Sequence, residues 1–332
     1  MISPALLAIA AGQLALYILL GVLLWGTGIG GFPLGTLVVT GVILFFAARV
    51  LWVGVQFILA YFGRSPRTEE TRLGVIGTIY MVLAEMAVYY LMIALLSPFG
   101  RFFLARRHPF IVQAGQRPVL FLPGYMANTG IWVPMVRYLM GRGLTNVFTF
   151  NLKPKFGDID EYARQVSAYV DRICNTTRSD KVVIVAHSMG GLAARAYIER
   201  LGGARRVAKL ITIGTPHHGT WLARIAPGVN ASQMRVGSAW LGEMNRDENY
   251  RNMVPYVSIF STHDNVVFPQ TSAEFGKARN VEIVGMGHFS LVVSPEVGRI
   301  VYRELASALA SSGASSEPVA RLQGNVAAAH RV

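Results

Sequence analysis

Ser188, Asp264 and His288 each fall just beyond a short apolar run in this chain of 332 residues, and together they could carry acyl transfer through a covalent intermediate. A serine hydroxyl is a weak nucleophile at neutral pH. It needs an imidazole to take its proton, a carboxylate to hold that imidazole in the right tautomer, and N–H donors for the oxyanion that forms. Residues 181–191 read KVVIVAHSMGG: a β-branched run, a tight turn presenting Ser188, then small residues that open a helix. Gly190 and Gly191 keep the helix side of that turn clear. Asp264 stands in STHDNVVFP, where it could orient the imidazole or merely cap a turn; with a serine and a histidine to partner it, the first role is favoured, and Asp247 is the reserve. His288 stands in GMGHFSLV, where Gly285 and Gly287 just before it free the loop to bring the ring over Ser188. Among the other six histidines, His187 adjoins the serine but points away from it, His263 precedes the acid, and His108 and His330 lie outside the expected core.

The elements that must position these groups are legible in the hydropathy pattern. VLFL (119–122), NVFTF (146–150), KVVIVA (181–186), KLITIG (209–214), YVSIF (256–260) and VEIV (281–284) read as strands. Helical stretches fall between them at 131–141, at 159–173 with apolar residues Tyr162, Val166, Tyr169, Val170 and Ile173, and from the elbow to Leu201; a last one covers 295–310. Strands alternating with helices imply an α/β domain with a mainly parallel sheet and right-handed crossovers. Ser188, Asp264 and His288 then all lie just past the C-terminal ends of strands, where open α/β sheets hold their sites.

The AHSMG turn resembles the G-x-S-x-G elbow of the α/β-hydrolase superfamily, with Ala186 in place of the first glycine, as in some bacterial lipases. The order serine, acid, histidine is also the order of that fold, and GTPHHGT (214–220) resembles the G-T-P-H-x-G-[ST] segment of the same lipases. The resemblance covers roughly residues 117–310. It implies an α/β-hydrolase fold, with the oxyanion held by the amide of Met189 and by that of Tyr125 in the loop after the first strand. That loop reads Pro123-Gly124 where the family more often has His-Gly. It further implies that His217 and His218 shape the substrate pocket, and that Trp221, Trp240, Leu241 and Met244, within the 220–254 cap region, form either an apolar acyl-binding wall or a packed cap.

The first hundred residues are of another kind. Residues 5–25, 37–62 and 73–96 are apolar runs, each long enough to cross a hydrocarbon core of about 30 Å as a helix, so three membrane spans are expected before a basic linker at 101–117. A cleaved leader is the competing reading of the first run, but no basic residue precedes Ala5. Arg49 and Glu85 fall near the middle of the second and third runs; the short 63–72 loop makes those runs antiparallel neighbours, so an intramembrane Arg49–Glu85 ion pair is expected. Basic residues flank the spans equally on the two faces, which leaves the side of the catalytic domain open. Residues 311–332, rich in Ser, Ala and Gly, read as disordered.

The net charge is +13, and after residue 100 there are 27 Lys and Arg against 15 Asp and Glu. Such a surface suits anionic lipid headgroups. Nucleic acid is disfavoured because no zinc knuckle, helix-turn-helix or aromatic-basic signature accompanies the charge. The single cysteine, Cys174, reads as a small helix-face residue. Adjacent His217 and His218 project in different directions with no further ligands beside them, so no metal is expected, and the chemistry requires no cofactor. The expectation is a membrane-anchored, multi-pass serine ester hydrolase acting on a lipid or other hydrophobic ester; a same-fold acyltransferase or thioesterase, or an inactive membrane scaffold, are the alternatives.

Overall fold

Strands buried on both faces read as unbroken apolar runs rather than alternations, and VLFL and VVIVA are of that kind. In the computed structural model, which describes residues 34–100, 116–246, 254–276 and 278–310 together with Gly12, Ala15 and Leu19, they form the centre of a six-stranded parallel sheet. Its strands are β1 (Val119–Leu122), β2 (Val147–Thr149), β3 (Val182–His187), β4 (Val207–Ile213), β5 (Tyr256–Ser261) and β6 (Arg279–Ile283), in the spatial order β2-β1-β3-β4-β5-β6. The strand order reverses at β1, whose neighbours are β2 and β3. A crevice therefore opens beyond the carboxyl ends of β1 and β3.

The helices are α1 (Leu34–Gly63), α2 (Val75–Tyr90), α3 (Val133–Met140), α4 (Ile159–Thr177), α5 (Met189–Arg200), α6 (Val229–Gln233), α7 (Ala239–Met244), α8 (Ser290–Val293) and α9 (Pro295–Ala310). Each side of the sheet carries its own core. Leu120, Leu122, Ile184 and Ala186 pack with α4 and α5; Val119, Phe121, Val183, Val185, Ile211 and Ile213 pack with α3 and α9. The amphipathic spacing read at 159–173 is the buried face of α4, whose N-terminus is capped by Asp158 accepting from Asp160 N–H. Cys174 is buried on that same face.

The described residues bear on part of the N-terminal expectation. Among the described residues one helix, α1 over Val39–Gly63, is long and apolar enough to cross a membrane, where the sequence predicts three. The third run yields a 16-residue α2, continued by a π-helical segment at Leu91–Leu96, and one side of it packs on the sheet domain. Of the first run only Gly12, Ala15 and Leu19 are described, and the 101–115 stretch, Asp247 and the 311–332 tail lie outside the described residues.

The Arg49–Glu85 ion pair is absent as well. The Arg49 guanidinium folds back over the Phe45 ring of its own helix, 3.6 Å from the centroid, and donates to Phe45 O. Glu85 instead reaches into the sheet domain and accepts from Phe289 and Ser290. A charged side chain on a neighbouring helix is one source of partners for a buried carboxylate. Backbone amides of a distant loop satisfy a carboxylate equally well.

Candidate active site

Ser188 occupies a strained backbone position, φ 54° and ψ −129°, between the end of β3 and the start of α5. A non-glycine residue there costs on the order of 1–3 kcal/mol. Three hydrogen bonds hold it in place: Ser188 N–H to Ile213 O at 2.9 Å, Thr215 Oγ1–H to Ser188 O at 2.9 Å, and Gly191 N–H to Ser188 O at 3.0 Å. The turn also needs small neighbours. A Cβ at Gly190 would lie 2.6 Å from Pro123 O and 2.8 Å from Leu122 O, backbone atoms of the adjacent strand end that cannot give way. Gly190→Ala is accordingly expected to destabilise the domain by about 1–3 kcal/mol, read as a lowered urea midpoint at unchanged slope.

Asp264 follows β5 and His288 follows β6. The imidazole Nδ1 lies 2.8 Å from Asp264 Oδ2, and each side chain is only 2% exposed. The other carboxylate oxygen, Oδ1, accepts from the amides of Val266 and Val267, both at 2.8 Å, so the acid is fixed from two directions. With Nδ1 directed at the acid, Nε2 is the nitrogen left for the serine proton. Both halves of the site meet on one step of β4: Ser188 N–H bonds Ile213 O, and a Cβ on Gly214, φ +57°, would lie 3.2 Å from the His288 ring and 3.3 Å from Asp264 Oδ2. No hydrogen bond joins the Ser188 hydroxyl to the imidazole in this structure. In resting enzymes that contact is often long and tightens with substrate.

Met189 is the first residue of α5, so its amide has no acceptor within the helix. Tyr125 sits in the loop after β1, beside Gly124, whose added Cβ would lie 2.7 Å from Ser188 Cβ. The Tyr125 phenol donates to Pro227 O at 2.6 Å, and burial, with Tyr162 nearby, pushes its pKa up to about 12. That side chain thus ties the loop to the segment before α6.

The expected pocket residues lie in different surroundings. His217 is fully buried; its ring stacks on Phe275 at 4.5 Å, and its nitrogens face Thr212 Oγ1 and Arg195 Nη1. It is a core histidine. Trp240 donates from Nε1 to Asp160 Oδ2 at 2.8 Å and lies under Arg200, against α4 and α5. Leu241 and Met244 are buried in the same core, which makes the α7 region a packed cap. His218 is exposed and hydrogen-bonds Asn245, while Trp221 stands where α1 ends, next to Gly63. The ring of His217 turns inward, with Nδ1 3.4 Å from Nη1 of Arg195, a buried cation on α5.

His187, the neighbour of the nucleophile, packs 4.5 Å from His288 ring to ring and edge-on to Trp132. Both of its nitrogens are buried without a hydrogen bond. Burial, the largest cause, holds its pKa well below the usual imidazole value, and the charge of the His288 ring adds to it against a smaller opposing effect of the His288 backbone, so this ring stays neutral. Among the described residues no cluster of three or more His, Cys, Asp or Glu could hold a metal ion.

The structure is similar to the mature lipase BlEst2 of Bacillus licheniformis, with a TM-score of 0.53 and 17% identity over 60% of this chain and 94% of that one. It is similar also to lipase B of Aspergillus fumigatus, with a TM-score of 0.54 and 18% identity over 64% and 56%. The fold is that of the α/β-hydrolases. In sequence, the family model for palmitoyl protein thioesterase matches residues 140–245 of this chain. Triacylglycerol lipase 2 of Saccharomyces cerevisiae is 32% identical over 97 residues, which span 28% of this chain and 29% of the yeast protein. This chain thus matches under a third of that relative's length.

Proposed function

We propose that the chain is a serine hydrolase of lipid or other hydrophobic acyl esters. The observation that carries this reading is the buried Asp264–His288 hydrogen bond of 2.8 Å at the strand ends, beside a serine in strained backbone geometry. Ser188 Oγ attacks the acyl carbonyl as His288 Nε2 takes its proton, and the oxyanion settles on the amides of Met189 and Tyr125. Collapse of the tetrahedral species breaks the bond to the leaving oxygen, which receives the proton from His288. Water, activated by the same imidazole, then releases the carboxylic acid and restores Ser188. Asp264 holds the imidazole through Nδ1 and stabilises the imidazolium.

Lipid as substrate fits three features. The relatives are lipases by name. The helix α1 exposes Leu51, Ile58 and Phe62 along an apolar length that can anchor the chain in a bilayer. The extramembrane surface is basic. A thioester is the second reading, favoured by the match of residues 140–245 to the palmitoyl protein thioesterase model.

Parallel assays of the detergent-solubilised chain on a long-chain p-nitrophenyl ester and on a palmitoyl thioester, each with and without an alcohol acceptor, separate the readings. The expected result is faster turnover of the oxygen ester with free acid as product. Preference for the thioester favours the second reading, and acyl transfer to the acceptor identifies an acyltransferase. A chain that neither turns over nor is labelled by a fluorophosphonate is a scaffold.

A further inference from the structure

Glu85 belongs to α2, yet its hydrogen bonds go to the loop that carries His288. Oε1 accepts from Phe289 N–H at 2.7 Å, and Oε2 accepts from Ser290 N–H at 2.9 Å and from the Ser290 hydroxyl at 2.6 Å. The carboxylate is 0% exposed. The loop is shaped around it, because a Cβ on Gly287 would overlap the Glu85 carboxyl group. A second tether comes from α1: Gln56 Oε1 accepts from Asn265 Nδ2 at 2.8 Å, and Asn265 Oδ1 in turn accepts from His288 N–H at 3.0 Å. Gln56 and Asn265 are both buried. Three successive amides, those of residues 288, 289 and 290, are therefore held by acceptors that lead back to the N-terminal helices.

We propose that α1 and α2 are part of the catalytic centre, with Glu85 and Gln56 as positioning residues for the base. The inference rests on the serine-hydrolase reading above. The bond from Asp264 sets the rotation of the imidazole but not the place of the loop that bears it, and the glycines at 285 and 287 leave that loop without stiffness of its own. Catalysis needs the ring within about 0.5 Å of its working place. Glu85 fits the task because it offers acceptor sites on two oxygens to three donors that arrive from one side. A glutamine there would present one oxygen and an NH2 group, which leaves at least one buried N–H facing another donor.

The test uses the full chain in detergent, a fluorophosphonate titration to count working sites, and a soluble short-chain ester. Glu85→Gln is expected to lower kcat per titrated site roughly 10- to 100-fold with KM within about twofold. Gln56→Ala, which removes one neutral hydrogen bond, is expected to lower it about 3- to 10-fold, and the two together more than either. A merely structural role predicts the opposite split: fewer titratable sites, each turning over at the wild-type rate. That outcome overturns the proposal. If Glu85→Gln fails to fold, Gln56→Ala decides alone, and wild-type turnover per site in that variant refutes the inference. An active wild type with unaffected variants sinks this inference only, whereas a wild type that is neither labelled nor active removes the hydrolase reading on which it stands.

Discussion

Ser188→Ala is expected to lower kcat for ester hydrolysis by roughly 10⁶-fold while the protein keeps its melting temperature. The three bonds that hold the elbow use the Ser188 backbone N–H and carbonyl, and alanine retains both. Alanine also has the same backbone preference at φ 54° as serine, so the strain is unchanged. Only the hydroxyl is lost, and with it the covalent step. Steady-state kinetics and a thermal melt of the purified variant check this; more than a few per cent of wild-type turnover would mean that another group performs the attack.

The second large effect is on the acid. Asp264→Asn is expected to lower kcat by about 10⁴-fold with little change in KM. An asparagine can keep its carbonyl oxygen on the Val266 and Val267 amides, so the loop stays in place. Its NH2 then replaces Oδ2 opposite His288 Nδ1, and two donors face each other unless the imidazole moves its proton to Nε2. In that tautomer Nε2 cannot accept the serine proton. Asp264→Ala serves as the comparison: it also frees the Val266 and Val267 amides, so it is expected to lose stability along with rate, a difference visible in the melt.

Much of the sheet domain was legible because its signals are local. An apolar run ending in a turn marks a buried strand, and VLFL and VVIVA end within a residue of the observed β1 and β3. The elbow was legible because a serine between a strand and three small or flexible residues has few other uses. His217 and Trp240 were not legible as core groups. Their neighbours, Arg195 and Asp160, lie 22 and 80 positions away, and nothing in GTPHHGT tells which of two adjacent histidines turns inward. Glu85 stands out in the sequence as a carboxylate in an apolar run, but its partners do not. Its donors are backbone N–H groups, which every residue but proline carries, so they leave no mark in the sequence. Gln56 and Asn265 escaped notice for a related reason: amide side chains carry no charge to make them conspicuous.

The reach of Glu85 across the chain also orders events during synthesis. Its carboxylate is made 204 residues ahead of Phe289, the first of its amide donors. At ribosomal speed that interval is roughly 10–40 s. Through that time the growing polypeptide holds an ionisable group on an apolar helix with its lasting neighbours still unmade, and α2 cannot settle into its final berth. The helix α2 and the loop at residues 289 and 290 thus mature together, and a ribosome halted before residue 290 leaves both unfinished.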